Sequence, residues 1–348
     1  SDVYKRQVYA QTTYSFSDQM RLISGLRYID DEAESCVKNF FTTVCDNLSS
    51  SSDETTGKIA VEYDFNGSTM GYASYTIGSK PGGTNLTYGF STREELDADF
   101  RFGSPVVPPM VYRAFESENL ESLEFGLKSD FFNGKARANI AVFSYDYENL
   151  QFQATDPDPY RGGVANIPNS EMDGVEIEFT ALLGDSITFD MNLGFIDTEV
   201  TSEYEVLDNV LAYQYFFTEE QERYELREDV KGNMLAKTPE FTADATLTYE
   251  GELASGNPVN VILQFIRRGE FMQRVSNNPS VDTVPEYQIF NLTVGIDFPN
   301  NMDLDFLLLN ATDEHGVNSS MTDVFGVAAT GIELIPPRQV MTRLSYNF

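Results

Sequence analysis

The chain has 348 residues, a formal net charge of -32 and an isoelectric point near 4.2. Such a charge argues against nucleic acid or an anionic membrane surface as partner, because both repel it. With 41% hydrophobic and 13% aromatic residues the chain is not disordered, yet no stretch reaches the roughly 18–20 consecutive apolar residues of a membrane helix.

The opening "SDVYKRQ" has charges but no apolar region of a signal peptide, and there is no initiator Met. A fragment or a processed form is expected, and residues 1–7 stay open between native and non-native sequence. From there on, period-two alternation dominates. It predicts about thirteen strands, at 7–16, 19–30, 56–66, 69–79, 120–132, 135–149, 170–183, 186–198, 236–250, 258–269, 284–298, 302–311 and 338–348. In "SITFDMNLGFID", Ile187, Phe189, Met191, Leu193 and Phe195 share one face, opposite Thr188, Asp190 and Asn192. "FTADATLTY" and "IFNLTVGIDF" repeat the pattern. Helical periodicity is nowhere sustained, so the chain is all-β.

Most of these strands run about 10–14 residues, twice the mean of about 5–6 in soluble sheets. A tilted strand of about eleven residues crosses a hydrocarbon band about 25 Å tall. The connections alternate short and long. Asn133-Gly134, Gly184-Asp185 and Asn300-Asn301 are tight-turn sequences, whereas 31–55, 80–119, 150–169, 199–235, 270–283 and 312–337 are long and polar. Tight turns on one edge and long loops on the other mark a wall between two environments. This is the pattern of an antiparallel up-and-down transmembrane β-barrel, with short periplasmic turns and long extracellular loops. A β-sandwich also alternates, but it needs neither such long strands nor this asymmetry. The closing "RQVMTRLSYNF" ends on a strand whose aromatics, Tyr346 and Phe348, suit a membrane interface and the insertion of a terminal strand.

Two cysteines, Cys36 and Cys45, lie in a polar segment and fit no common zinc spacing. A local disulfide is the favoured reading, which implies an oxidising compartment, and two free thiols are the alternative. The lone histidine, His315, leaves little room for a Ser-His-Asp or metal-hydrolase site, so no enzyme activity and no cofactor or metal are expected. "DPDPYRGG" lacks the ligand spacing of a calcium loop and reads as a rigid, Pro-punctuated outer loop.

"ENLESLEFGLKSDFFNGK", "GSKPGGTN", "LLLNATDEHG" and "PPRQVMTRLSYNF", in that order and spacing, resemble the barrel of TonB-dependent outer-membrane receptors. The likeness runs from about residue 8 to the end. The resemblance implies a 22-stranded barrel closed by an N-terminal plug. No plug, coupling box or full strand count is found here, so residues 1–348 are expected to be the C-terminal portion of such a barrel. It implies the bacterial outer membrane, the TonB energy-coupling complex acting through the plug, and the barrel assembly machinery as partners. The implied activity is import of a bulky scarce nutrient, most often a ferric siderophore; a passive porin-like channel is the alternative. Tyr88, Phe90 and Arg93 on one long loop, Tyr160 and Arg161 on another, and Tyr213, Tyr215 and Arg223 on a third pair aromatics with cations. That combination suits a planar, anionic iron chelate. Packing of the loops against each other is the competing reading of the same residues.

Overall fold

The computed structural model describes residues 2–38, 45–85, 114–155, 162–208, 210, 227–299, 301–322 and 330–346. Thirteen strands form one antiparallel sheet in strict chain order. They are β1 (Asp2–Ser15), β2 (Met20–Lys38), β3 (Cys45–Asn66), β4 (Thr69–Lys80), β5 (Glu118–Phe131), β6 (Ala136–Thr155) and β7 (Gly162–Leu182). β8 (Ile187–Val200), β9 (Phe241–Glu252), β10 (Pro258–Arg268), β11 (Tyr287–Phe298), β12 (Met302–Leu309) and β13 (Gln339–Tyr346) complete it. Among the described residues β1 pairs only with β2 and β13 only with β12, so the sheet is open between its first and last strands. Among the described residues no helix is long and apolar enough to cross a membrane.

All thirteen strands stand where alternation places them, but β1, β2, β3, β6 and β7 reach further than expected. β2 and β3 pair as far as Lys38 with Cys45, so most of the first long connection is a tall hairpin. β6 and β7 likewise pair up to Thr155 with Gly162. These extensions escape a search for alternation because they stand clear of any apolar layer. With water on both faces, "DDEAES" and "SSSSDE" form a ladder with no apolar side.

The register resolves the wall into two kinds of row. One row runs Phe131, Ala136, Ala181, Phe189, Leu247, Leu263, Leu292, Leu308 and Val340, nine strands without a polar side chain. It starts at the short-turn end of β5 and ends near the long-loop end of β13. That climb is the strand tilt a barrel wall requires. One residue away runs Asp130, Arg137, Thr180, Asp190, Thr246, Gln264 and Asn291, polar on every strand. Successive side chains point to opposite faces, so the two rows line opposite sides of the sheet.

Among the described residues nothing packs on the apolar side. Phe125 is 53% exposed, Leu263 47% and Leu344 62%, a continuous greasy surface that only lipid can cover. On β8, Met191 sits between Phe179 and Ala245 on this side, and Asn192 sits between Glu178 and Asp244 on the other. In the whole protein refolded into a bilayer, Met191→Arg is expected to cost about 2–4 kcal/mol near the midplane, and Asn192→Arg well under that. Urea titration of the two variants side by side checks the contrast; equal costs would contradict the assignment of faces.

Candidate functional site

The polar side of the wall is a hydrogen-bonded surface. Arg137 holds Asp130 in a fork at 2.6 and 3.0 Å, Thr180 donates to Asp190 at 2.8 Å and Asn291 to Gln264 at 2.9 Å. Asn139 donates to Glu178 at 2.9 Å, Asn192 reaches both oxygens of Asp244, and Arg343 meets Asp305 at 2.8 Å. Cross-strand pairs of this kind fix the register from the lumenal side, and each contributes roughly 0.2–1 kcal/mol. The stretch across β7 to β10 is acidic, with Glu176, Glu178 and Asp244 lining a recess of about 460 Å³ that also touches Arg268 and Tyr287.

Two lumenal glycines have a packing reason. The Tyr72 ring lies across Gly126 of the next strand, where a Cβ would come within 2.1 Å of it. Phe143 lies across Gly174 in the same way, at 2.3 Å. Rings laid flat on glycine leave space above them in the lumen, and Tyr72 secures its position by donating from its hydroxyl to Glu124. Phe143 in turn stacks on Tyr145, with ring centroids 4.6 Å apart.

Above the wall the described long connections form an ordered unit. Ile167, Val200, Val206, Leu207, Val230, Leu235 and Val275 make a hydrophobic core of their own, drawn from β7, β8 and the connections after β8 and β10. Beside it, Arg274 bridges two fully buried carboxylates, Asp282 at 2.5 Å and Asp208 at 2.8 Å. Ser276 and the backbone N–H of Asn278 also donate to Asp282, and the Asn278 amide donates to Asp208. Asn277 and Asn233 finish the join: Asn277 accepts from the Met234 N–H and donates to its carbonyl, and Asn233 donates to the carbonyl of Val275. A second join holds the connection after β4 to the tall β6–β7 hairpin. The Asn85 amide brackets Val164, Asn166 brackets Glu116, and Gln151 donates to the carbonyl of Pro81. Side-chain amides here take the place of the backbone ladders that irregular connections lack.

In the short ladder of Glu205–Leu207 with Arg227–Asp229, the Asp229 carboxylate accepts from the backbone N–H of Lys231 and of Tyr204. These two donors, Lys231 first, hold its carboxyl below the usual carboxylate range. The support it gives the ladder is therefore present at neutral pH and is lost as pH falls through that depressed value.

Every residue proposed from the sequence to touch ligand, namely Tyr88, Phe90, Arg93, Tyr160, Arg161, Tyr213, Tyr215 and Arg223, lies outside the described residues, as does Phe348. Tyr346 is paired with Met302 and more than half exposed on the apolar side. His315 is an exposed residue of the last long connection. Cys36 stands opposite Asn47 and Cys45 opposite Lys38, so the two share adjacent strands two register positions apart. Their disulfide stays a proposal, checked by the mass of the unreduced, alkylated chain. The Arg274 clamp was not legible in "FMQRVSNNPSVDT": Asp208 lies 66 residues upstream of its partner, and nothing local joins them.

A tilted, two-faced antiparallel wall with a polar lumen and a built-up outer rim defines an outer-membrane β-barrel of bacteria. The chain belongs to the TonB-dependent receptor family: residues 1–311 match the model described as "TonB dependent receptor-like, beta-barrel". The ferric yersiniabactin uptake receptor FyuA from Yersinia pestis superposes with a TM-score of 0.72 at 16% identity, covering 98% of this chain and 45% of that one. The siderophore receptor PiuA from Acinetobacter baumannii gives 0.71 at 18% identity, covering 98% and 42%. In sequence, the "Probable TonB-dependent siderophore receptor PiuA" of that organism is 24% identical over 202 residues, 57% of this chain and 24% of its own. A structure titled "Copper transporter OprC" shares the fold, with a TM-score of 0.67 at 16% identity, over 99% of this chain and 47% of its own. The chain thus spans less than half the length of the proteins it resembles.

Removing Arg274 leaves two buried carboxylates without their cation, which typically costs about 3–5 kcal/mol. Arg274→Ala is expected to open the outer unit while the wall stays folded. Amide exchange in 205–208 and 270–284 of the whole receptor should then accelerate steeply, with no change across 187–195.

Proposed function

We propose that this chain supplies wall and outer rim of a receptor that imports a bulky, scarce nutrient, in the first place a ferric siderophore, with energy from the TonB complex. The observation that carries this reading is the combination of a polar, hydrogen-bonded lumen with outer connections packed around a core of their own. A channel for passive diffusion needs a water-filled pore. A receptor needs, besides that, a fixed outer surface to recognise one cargo, because immobilising loops at the moment of binding costs affinity. The names of FyuA and PiuA support a siderophore as cargo, and OprC marks a metal ion as the other class the fold carries.

In this reading the ligand meets the aromatic and cationic sets Tyr88, Phe90 and Arg93, Tyr160 and Arg161, and Tyr213, Tyr215 and Arg223. The rings stack on the planar chelating groups and the guanidinium groups meet their negative charge. The acidic wall below then offers an anionic chelate no resting place, which favours onward movement over retention. The barrel assembly machinery is the proposed partner for insertion, through the closing strand that carries Tyr346 and the sequence that follows it to Phe348.

Uptake of radiolabelled iron presented as siderophores of several chelate classes, by cells expressing the whole receptor, tests this. One class should be taken up saturably, with uptake abolished in cells lacking TonB. Replacing both Arg93 and Arg223 by Glu should weaken binding of that class by at least about tenfold, a loss of about 1.4 kcal/mol. Uptake that rises linearly with concentration and ignores TonB would establish the passive channel instead.

A further inference from the structure

On the polar side of β1 to β4 the register opens a second recess, of about 440 Å³. Tyr9 of β1 stands opposite Arg27 of β2, and Arg27 opposite Thr56 of β3. Two positions along, Gly25 stands between Gln11 and Lys58, and Lys58 faces Thr76 of β4. All of them share the parity of Glu62 and Tyr72, which are opposed across β3 and β4, so they point to the polar side. Gly25 leaves the middle of the recess open. Rings cover Gly126 and Gly174, but a Cβ at Gly25 would meet nothing nearer than the Ala10 carbonyl oxygen at 3.8 Å and the Gln11 side chain at 3.9 Å.

The charge of this recess is opposite to that of the chain. Residues 1–348 carry 55 acidic against 23 basic side chains, yet no carboxylate lines the recess and two cations do. Acids on the same face are engaged elsewhere: Asp31 with Lys5 at 2.9 Å, and Glu62 and Asp64 with Arg21 at 3.0 and 2.7 Å. Glu54 lies one step beyond Arg27, opposite Ile29, and is the single carboxylate of this face near the two cations. Arg27 donates to Gln7, and Lys58 has no ion-pair partner among the described residues. Diagonal neighbours such as Arg27 and Lys58 have Cα atoms about 7–8 Å apart, so a guanidinium and an ammonium can converge on one oxyanion between them. The hydroxyls of Tyr9, Thr56 and Thr76 add donors around the same gap.

We propose that this recess is an oxyanion subsite of the lumen, which takes a carboxylate or phosphate group between Arg27 and Lys58. The acidic stretch of β7 to β10 repels such a group, whereas the recess on β2 and β3 attracts it. Resting on the function proposed above, the recess is where an anionic cargo pauses after it leaves the outer connections. Recognition stays with the rim, and the recess holds the ligand on its way inward.

The test uses the whole receptor in detergent, with Gln11→Cys as its one thiol and every other cysteine replaced by serine. Labelling rates with a sulfonate-bearing and a trimethylammonium-bearing methanethiosulfonate are each divided by the rate for a small free thiol. The anionic reagent should then be several-fold faster than the cationic one, and Arg27→Gln combined with Lys58→Gln should remove the preference. Citrate or inorganic phosphate should slow labelling several-fold more than sodium chloride of equal ionic strength. Whichever of the two protects at the lower concentration names the group the recess takes. Gly25→Leu keeps both cations but fills the gap, so it should retain the reagent preference and lose the protection. No preference, no labelling at all, or protection that chloride matches or that survives loss of both cations would overturn the proposal. The assay uses neither siderophore nor TonB. Its failure therefore removes the recess alone, and linear, TonB-independent uptake removes the import reading alone.

Discussion

A peptide N–H or C=O inside hydrocarbon has no water to bond to, and leaving one unpaired costs several kcal/mol. Everything else in this wall depends on meeting that demand sideways, from strand to strand. The ladder is therefore continuous from Asp2 with Glu34 to Met302 with Tyr346, and the strands follow one another in chain order with no crossover. A ladder of this kind also fixes what each face presents. A slip by one residue at any pair would move the row Phe189, Leu247, Leu263, Leu292 and Leu308 into the lumen and turn Asp190, Gln264 and Asn291 toward lipid. Lipid on one side and lumenal hydrogen bonds on the other hold the same register from opposite directions.

That double enforcement explains how much of the fold was legible. Wherever a strand lies in the apolar layer, period-two alternation is nearly perfect, and "SITFDMNLGFID" alone fixes both faces of β8. Beyond the layer the selection on one face vanishes. The upper parts of β2, β3, β6 and β7 form ladders all the same, but their sequences read as loops. In the turn after β5 the left-handed run starts at Phe132, one residue before the Asn133-Gly134 pair; Asn-Gly is the commoner home for positive φ, and a phenylalanine in that conformation has no signature in the sequence. The outer unit was least legible of all. Its clamp joins Asp208 to Arg274 and Asp282 across two strands of wall, a contact made by topology rather than by spacing.

The same division of labour bears on function. The wall needs nothing from the outer unit to keep its register, and the outer unit has its own core around Val200, Val230 and Val275. Rim sequences are thus free to change while the ladder beneath keeps its register. This fits a fold whose solved examples include receptors for ferric siderophores and a copper transporter. In the function proposed above, recognition falls to the long connections rather than to the strands.

The central claim is that the two sides of the wall face two different solvents, and spin labels placed one at a time along 187–195 of the whole receptor in a bilayer test it most directly. Accessibility to oxygen, which concentrates in lipid, should peak at Ile187, Phe189, Met191, Leu193 and Phe195. Accessibility to a water-soluble nickel complex should peak at Thr188, Asp190, Asn192 and Gly194, out of phase by one residue. A profile without this alternation, or with its phase reversed, would contradict the account.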